Sequence, residues 1–173
     1  MIPHWREEPI SRGHDRENFS CGEPDLDDFL KRHARRNHER GASKTFVAVA
    51  PDGTSVLGYY SLSPVSLAYA DAPEMIRRGL GRYDVSGFRL GRLAVSRAMQ
   101  GRGLGGQLLL AAGRRCLRVS QEVGGTMLLI DAKSDRAAAW YESYGALRLE
   151  DRPLTLVLPL ATIERALSSA AKL

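Results

Sequence analysis

Residues Phe88 to Leu110 read FRLGRLAVSRAMQGRGLGGQLLL and fall into three parts. Phe88 to Val95 is apolar enough for a buried strand. Ser96 to Gly106 is a turn with four glycines and two arginines. Leu104, Leu108, Ala112, Cys116, Val119 and Val123 then recur at helical spacing, which predicts a helix from Leu104 to Val123.

A strand, a glycine-rich turn and a helix in succession can hold a phosphate. The first amides of a helix lack intrahelical partners, and the macrodipole places partial positive charge there. Glycine lets the backbone adopt positive φ and approach a ligand closely. Arg102 adds a full charge, so the turn is a candidate pyrophosphate cradle. The plainer alternative is a turn that only joins two elements. Gly101, Gly103 and Gly106 also spell the dinucleotide fingerprint, with Asp131 where a ribose-binding acid would stand. Against that, the five residues Ser96 to Gln100 separate the strand from the first glycine. Too little chain also follows Asp131 for the remaining strand–helix units. No Lys-Ser or Lys-Thr follows the glycines, which excludes a P-loop.

Outward from this stretch, residues 1 to 20 are polar, with room for one short edge strand. Ser20 to Leu30 (SCGEPDLDDFL) reads as a helix start, with a Ser20–Glu23 capping box or Asp25 as cap. Leu26, Phe29, Leu30, His33 and Ala34 form its apolar stripe, and six cationic residues crowd Lys31 to Lys44. That cluster either complements the helix dipole or forms a functional basic face. Thr45–Ala50 and Val56–Ser63 read as a hairpin around Pro51–Thr54, with residues 64 to 70 available to extend it. A short helix is expected over Pro73–Gly79, a buried strand over Thr126–Asp131 and a helix over Arg136–Tyr144 capped by Ser134 or Asp135. A strand over Leu154–Leu158 and a terminal helix over Ile163–Leu173 complete the reading. The class is α/β (α+β), a mixed central sheet flanked by helices, in a single domain covering residues 1–173.

With 173 residues and 43% hydrophobic content, one soluble domain with a sizeable core is expected. No apolar run is long enough to span a membrane, and MIPHWREEPIS lacks a signal-peptide core. Two distant cysteines and no metal-ligand cluster point to reduced thiols, a cytoplasmic address and no metal. The net charge of +5 favours a polyanionic partner, modestly, since 20 acids stand against 25 Lys and Arg.

Gln100-x-x-Gly103-x-Gly105, following Arg92-Leu93-Ala94-Val95, resembles the acetyl-coenzyme A signature of the GNAT superfamily of N-acetyltransferases. Trp140-Tyr141-Glu142-Ser143-Tyr144-Gly145-Ala146 resembles that family's Phe-Tyr-x-x-x-Gly-Phe element, with Ala146 in place of the usual Phe. The resemblance implies the GNAT fold and acetyl-CoA as co-substrate. It implies backbone contacts from Leu93 and Val95 to pantetheine and from the amides of Gly101, Arg102, Gly103, Leu104, Gly105 and Gly106 to the pyrophosphate, with Ala94 and Gln100 also among the cofactor-binding residues. Ser134 stands where many members have a cofactor-contacting Asn, and Tyr141 stands at the general acid; the bland alternative leaves Tyr141 a core aromatic. Four stretches, above all Gly22 to Leu30 (Gly-x-x-x-Leu-Asp-x-Phe-Leu), are further similar to GNAT toxins of bacterial toxin–antitoxin pairs. That likeness implies acetylation of aminoacyl-tRNA, blocked translation and a ribbon–helix–helix antitoxin encoded nearby; a homodimer is left open. Arg35, Arg36, Arg77, Arg78 and Arg92 are the candidate tRNA contacts. A protein or small-molecule amine acetyltransferase, and a non-catalytic nucleic-acid-binding module, are the competing readings.

Overall fold

The computed structural model describes residues 3–170. Its strands are β1 (Arg6–Pro9), β2 (Lys44–Val49), β3 (Val56–Leu67), β4 (Val85–Val95), β5 (Met127–Asp131), β6 (Leu147–Arg148) and β7 (Thr155–Pro159). They form a seven-stranded sheet in the order β1-β2-β3-β4-β5-β7-β6. β4 and β5 pair in parallel, whereas β1–β2, β2–β3, β5–β7 and β6–β7 pair antiparallel, so the sheet is mixed as expected. The helices are α1 (Pro24–Asp28), α2 (Ala34–Arg40), α3 (Glu74–Arg77), α4 (Leu104–Val123), α5 (Asp135–Glu142) and α6 (Leu160–Ala170). The helix expected to reach Leu173 is seen to Ala170; residues 171–173 lie outside the described residues. Among the described residues no helix is long and apolar enough to cross a membrane. The chain divides into two compact units, one of Met1–Ser63 with Arg92–Ala111, the other of Pro64–Gly91 with Ala112–Leu173.

The first unit has a core of Phe19, Leu26, Phe29, Leu30, Val47, Val49, Tyr59 and Ala94. The neighbouring Tyr59 and Tyr60 are both fully buried on opposite faces of β3, which covers that strand on both sides. The Tyr59 hydroxyl donates to the Leu26 carbonyl at 2.7 Å and fastens α1 to β3. Gly58 is demanded by close approach, because a Cβ there would lie 2.8 Å from both Ala94 O and Leu108 Cδ1.

Two expectations for the first helix are corrected. Neither Ser20 nor Asp25 caps it: the helix starts at Pro24, with Glu23 at the cap position and no side-chain cap. Proline at the first helical position removes one of the orphan amides and presets φ for the helix, so the start does not depend on a side-chain cap. Instead Asp27 reaches back, and its Oδ1 accepts from Cys21 N at 2.9 Å. His33 also leaves the predicted apolar stripe. A π-helical segment, Phe29–His33, links α1 to α2, and its wider turn rotates His33 to the surface beside Asp28.

In the second unit Leu67, Val85, Met127, Leu129, Leu149 and Val157 form one core cluster. Leu128, Ile130, Leu156 and Leu158, which point to the other face of β5 and β7, are also buried. Both faces are therefore covered, as the continuous apolar run of β5 predicts. α4 and α6 meet at Gly113, where a Cβ would fall 2.7 Å from Ile163 Cδ1 and Cγ2. The stripe predicted along α4 is buried through Cys116, but Val119 and Val123 are 41% and 75% exposed, since no described element covers the last turns. Ser134 rather than Asp135 caps α5, its Oγ accepting from Ala137 N at 3.2 Å.

Candidate active site

β4 ends at Val95 and passes through a short 3-10 turn, Arg97–Met99, into the glycine-rich turn. Gly101 and Gly103 have φ of +74° and +90°, values that disfavour any side chain. A Cβ built on either would meet nothing within 4 Å, so the space above both is open. Gln107 N donates to Gly103 O at 3.2 Å, the first bond of α4. The amides of Leu104, Gly105 and Gly106 precede that bond and have no intrahelical acceptor. Leu104 sinks its side chain into the interior, whereas Arg102 is exposed. Positive helix dipole, open backbone and exposed guanidinium are what a pyrophosphate needs, and the residues present fit one.

The loop is braced from the N-terminal segment. Gln100 Nε2 donates to Cys21 O at 2.7 Å and to Val95 O at 3.0 Å. The side chain of Gln100, though exposed, thus ties the loop to the end of β4 and to the N-terminal segment. Arg97 N donates to Ser20 O at 2.9 Å, and the Arg97 guanidinium lies so close to Gly22 that a Cβ there would sit 3.3 Å from its Nε. Trp5 Nε1 donates to Gln107 Oε1 at 2.7 Å, one turn into α4. Ala94 is buried, while Leu93 and Val95 are half-buried. Nothing in the local sequence pattern announces these struts; the nearest signal is the Gly22–Leu30 element, where Gly22 lies against Arg97 and Asp27 holds Cys21 N.

In the second unit Tyr141 lies on the buried side of α5, 6% exposed. Burial pushes its phenol well above the ordinary value, so it is protonated throughout the neutral range. Tyr59 and Tyr60 commit their hydroxyls to the Leu26 carbonyl and the Glu7 carboxylate. The Tyr141 hydroxyl makes no such bond among the described residues, which leaves it free to donate. Trp140 packs edge-on against Tyr141 and Tyr144, with centroids 4.9 and 5.0 Å away. Arg148 donates to Asp135 and Glu142, each at 2.8 Å, and so grips α5 at both ends. Ser134 Oγ is engaged as the helix cap. Asp131 Oδ2 accepts from Arg89 Nη1 at 2.6 Å, and this ion pair closes the last turn of parallel pairing between β4 and β5. Burial pushes the Cys116 thiol up to about 12, which makes it a core residue and no nucleophile.

The five candidate arginines differ in availability. Arg36 is exposed and has no ion pair among the described residues. Arg35 is bound to Glu39 at 2.6 Å, and its Nε is sealed without a partner. The Arg92 guanidinium lies 3.7 Å from the centre of the Phe29 ring, at the π-helical segment. In the second unit Arg77 stacks over Tyr69, and Arg78 is loosely paired with Glu74 at 3.8 Å.

Residues 41–145 match the acetyltransferase (GNAT) domain. The chain belongs to the GNAT family. A tRNA-acetylating toxin of Mycobacterium tuberculosis (strain ATCC 25618 / H37Rv) is 42% identical over 149 residues, which cover 86% of this chain and 88% of that protein. The solved structure of AtaT complexed with acetyl-methionyl-tRNAfMet superposes with a TM-score of 0.86 at 27% identity, covering 95% of this chain and 99% of that one. A mutant AtaT toxin bound to the C-terminus of the antitoxin AtaR and acetyl-CoA gives 0.80 at 26% identity over 94% and 98%. The GNAT match contains both the glycine-rich loop and Tyr141, and it ends at Gly145. Ala146, the departure from the GNAT aromatic, is 4% exposed and fills its core position with less volume.

Proposed function

We propose that this GNAT protein is a toxin that moves the acetyl group of acetyl-CoA to the amino group of aminoacyl-tRNA and so blocks translation. The likeness along 86% of the chain to a tRNA-acetylating toxin carries the reading. Acetyl-CoA supplies an activated thioester. The amides of Gly101 to Gly106 and Arg102 hold its pyrophosphate, while backbone groups of Leu93, Ala94 and Val95 align the pantetheine. Gln100 acts indirectly by fixing the loop. The neutral, buried Tyr141 gives its proton to the departing thiolate as the neutral amine attacks, and the proton that the amine nitrogen then releases returns to the phenol through water. Transfer is direct, with no acyl-cysteine, in keeping with the inert Cys116 thiol. Exposed arginines, Arg36 and Arg78 foremost, hold tRNA phosphates. The protein acts in the cytoplasm as a single acetyltransferase domain, and a ribbon–helix–helix antitoxin encoded beside it is its partner.

The test is transfer of labelled acetyl from acetyl-CoA to charged and uncharged tRNA. Labelling confined to the charged pool is expected. Equal labelling of both pools, or brisk acetylation of a peptide with neither pool labelled, overturns the tRNA acceptor.

A further inference from the structure

In the second unit, residues 77 to 84 read RRGLGRYD. Three arginines, two glycines and an aromatic alternate in the approach to β4. Tyr83 is 83% exposed, the most of any large apolar side chain described, and Leu80 beside it is 42% exposed. The two lie side by side, and contiguous exposed apolar surface of this kind is what a ligand covers. The ring is not adrift: a Cβ on Gly81 would lie 3.1 Å from Tyr83 Cδ2 and 3.2 Å from Cε2. The Cδ2–Cε2 side of the ring therefore stands beside Gly81, where a side chain would crowd it, and most of the ring is presented to solvent. The same segment borders a cavity of about 240 Å³, walled by Leu80, Gly81, Tyr83, Asp84, Ser86 and Thr126. Two of its lining residues are joined, Thr126 N donating to Ser86 O at 3.0 Å. Arg82 is exposed with no ion pair among the described residues.

We infer that the Tyr83 cleft receives one unpaired nucleotide of the RNA acceptor, its base stacked on the exposed ring and its phosphate held by Arg82. The inference rests on the aminoacyl-tRNA reading above. Each part of the nucleotide finds its complement. A flat base matches the exposed ring of Tyr83, on which it can stack. A backbone phosphate matches an unpaired guanidinium. The Asp84 carboxylate can accept from an exocyclic amino group at the base edge. Only an unstacked nucleotide offers such a ring face, which selects single-stranded segments over duplex.

The experiment measures tRNA binding and acetyl transfer across a salt series for the wild type and for Tyr83→Ala, Tyr83→Phe and Arg82→Ala. Tyr83→Ala is expected to raise the KM for charged tRNA roughly five- to a hundredfold. It should leave the acetyl-CoA thermal shift and the log–log salt slope of tRNA binding unchanged, and Tyr83→Phe should behave as wild type. Arg82→Ala should flatten that slope by about 0.7–0.9. A wild-type KM in Tyr83→Ala overturns the cleft, as does a Phe variant as weak as the Ala variant, which would mean a hydroxyl bond rather than stacking. A flattened salt slope in Tyr83→Ala also overturns it. Failure of the parent reading looks different: the wild type itself would then transfer no acetyl to charged tRNA.

Discussion

Burial keeps Tyr141 protonated through the neutral range, so the proton that a leaving thiolate needs is in place. Tyr141→Phe keeps the ring and its contact with Trp140 but removes the proton. Turnover should fall roughly 10²–10⁴-fold, while the acetyl-CoA thermal shift persists; near-normal turnover would remove Tyr141 from the acid role. The wild-type pH–rate profile should rise as the acceptor amine loses its proton and show no falling limb below the ordinary tyrosine range. A second consequence concerns stability. Tyr59 and Tyr141 both have raised folded-state pKa values, chiefly through desolvation. Their contribution is complete below the unfolded-state tyrosine pKa and is lost as pH climbs beyond it, because only the unfolded chain then ionises. The melting temperature should therefore drop between about pH 10 and pH 11, and Tyr59→Phe should lessen the drop.

At the scale of elements, the loop and α4 make separable demands on glycine. Gly103 has φ +90° and open space where a Cβ would go, so the Cβ of Gly103→Val meets no other part of the protein within 4 Å. The variant should fold at a cost of about 1–2 kcal/mol for the left-handed backbone. It should nevertheless lose the rise in melting temperature that acetyl-CoA gives the wild type by mass action. An undiminished rise would place the pyrophosphate elsewhere. Gly113 is the opposite case, with normal φ and no room. Gly113→Ala gains roughly 1 kcal/mol of helix propensity but drives a methyl group into Ile163. Net destabilisation of about 1–2 kcal/mol is expected in denaturant unfolding, and a smaller loss when Ile163→Ala supplies the space. Additive effects of the two substitutions would mean that α4 and α6 shift apart freely.

For the whole molecule, a net charge of +5 and a pI near 9.5 favour RNA, but the useful charge is what internal acids do not consume. Arg32 and Arg35 are paired with Asp28 and Glu39, whereas Arg36 and Arg40 are exposed and unpaired among the described residues. Arg36→Ala should reduce the log–log salt dependence of tRNA binding by about 0.7–0.9 for one lost phosphate. Arg35→Ala should change it less, with acetyl-CoA binding unaltered in both. Equal slopes in wild type and Arg36→Ala would remove that helix from the RNA surface.

Local chemistry in the sequence was enough for most of the elements, though not for β6 or the π-helical segment Phe29–His33. Alternation and apolar runs marked the strands, spacing marked α4 to the residue, and the glycines marked the cradle, because backbone propensity and side-chain period act over a few neighbours. The family motifs likewise lie in short contiguous stretches. What needed tertiary structure was whatever depends on a distant partner. Gln100 is separated from Cys21 by 79 positions and Trp5 from Gln107 by 102, so neither strut is visible in any local window. The two-residue β6 exists only because β7 offers it a ladder, and the antiparallel β5–β7 pairing depends on register across the chain. Exposure of Val119 and Val123, the outward turn of His33 and the pairing of Arg35 follow the same rule. A residue's type sets what it can bury or bond, but only the folded chain sets which neighbour it meets.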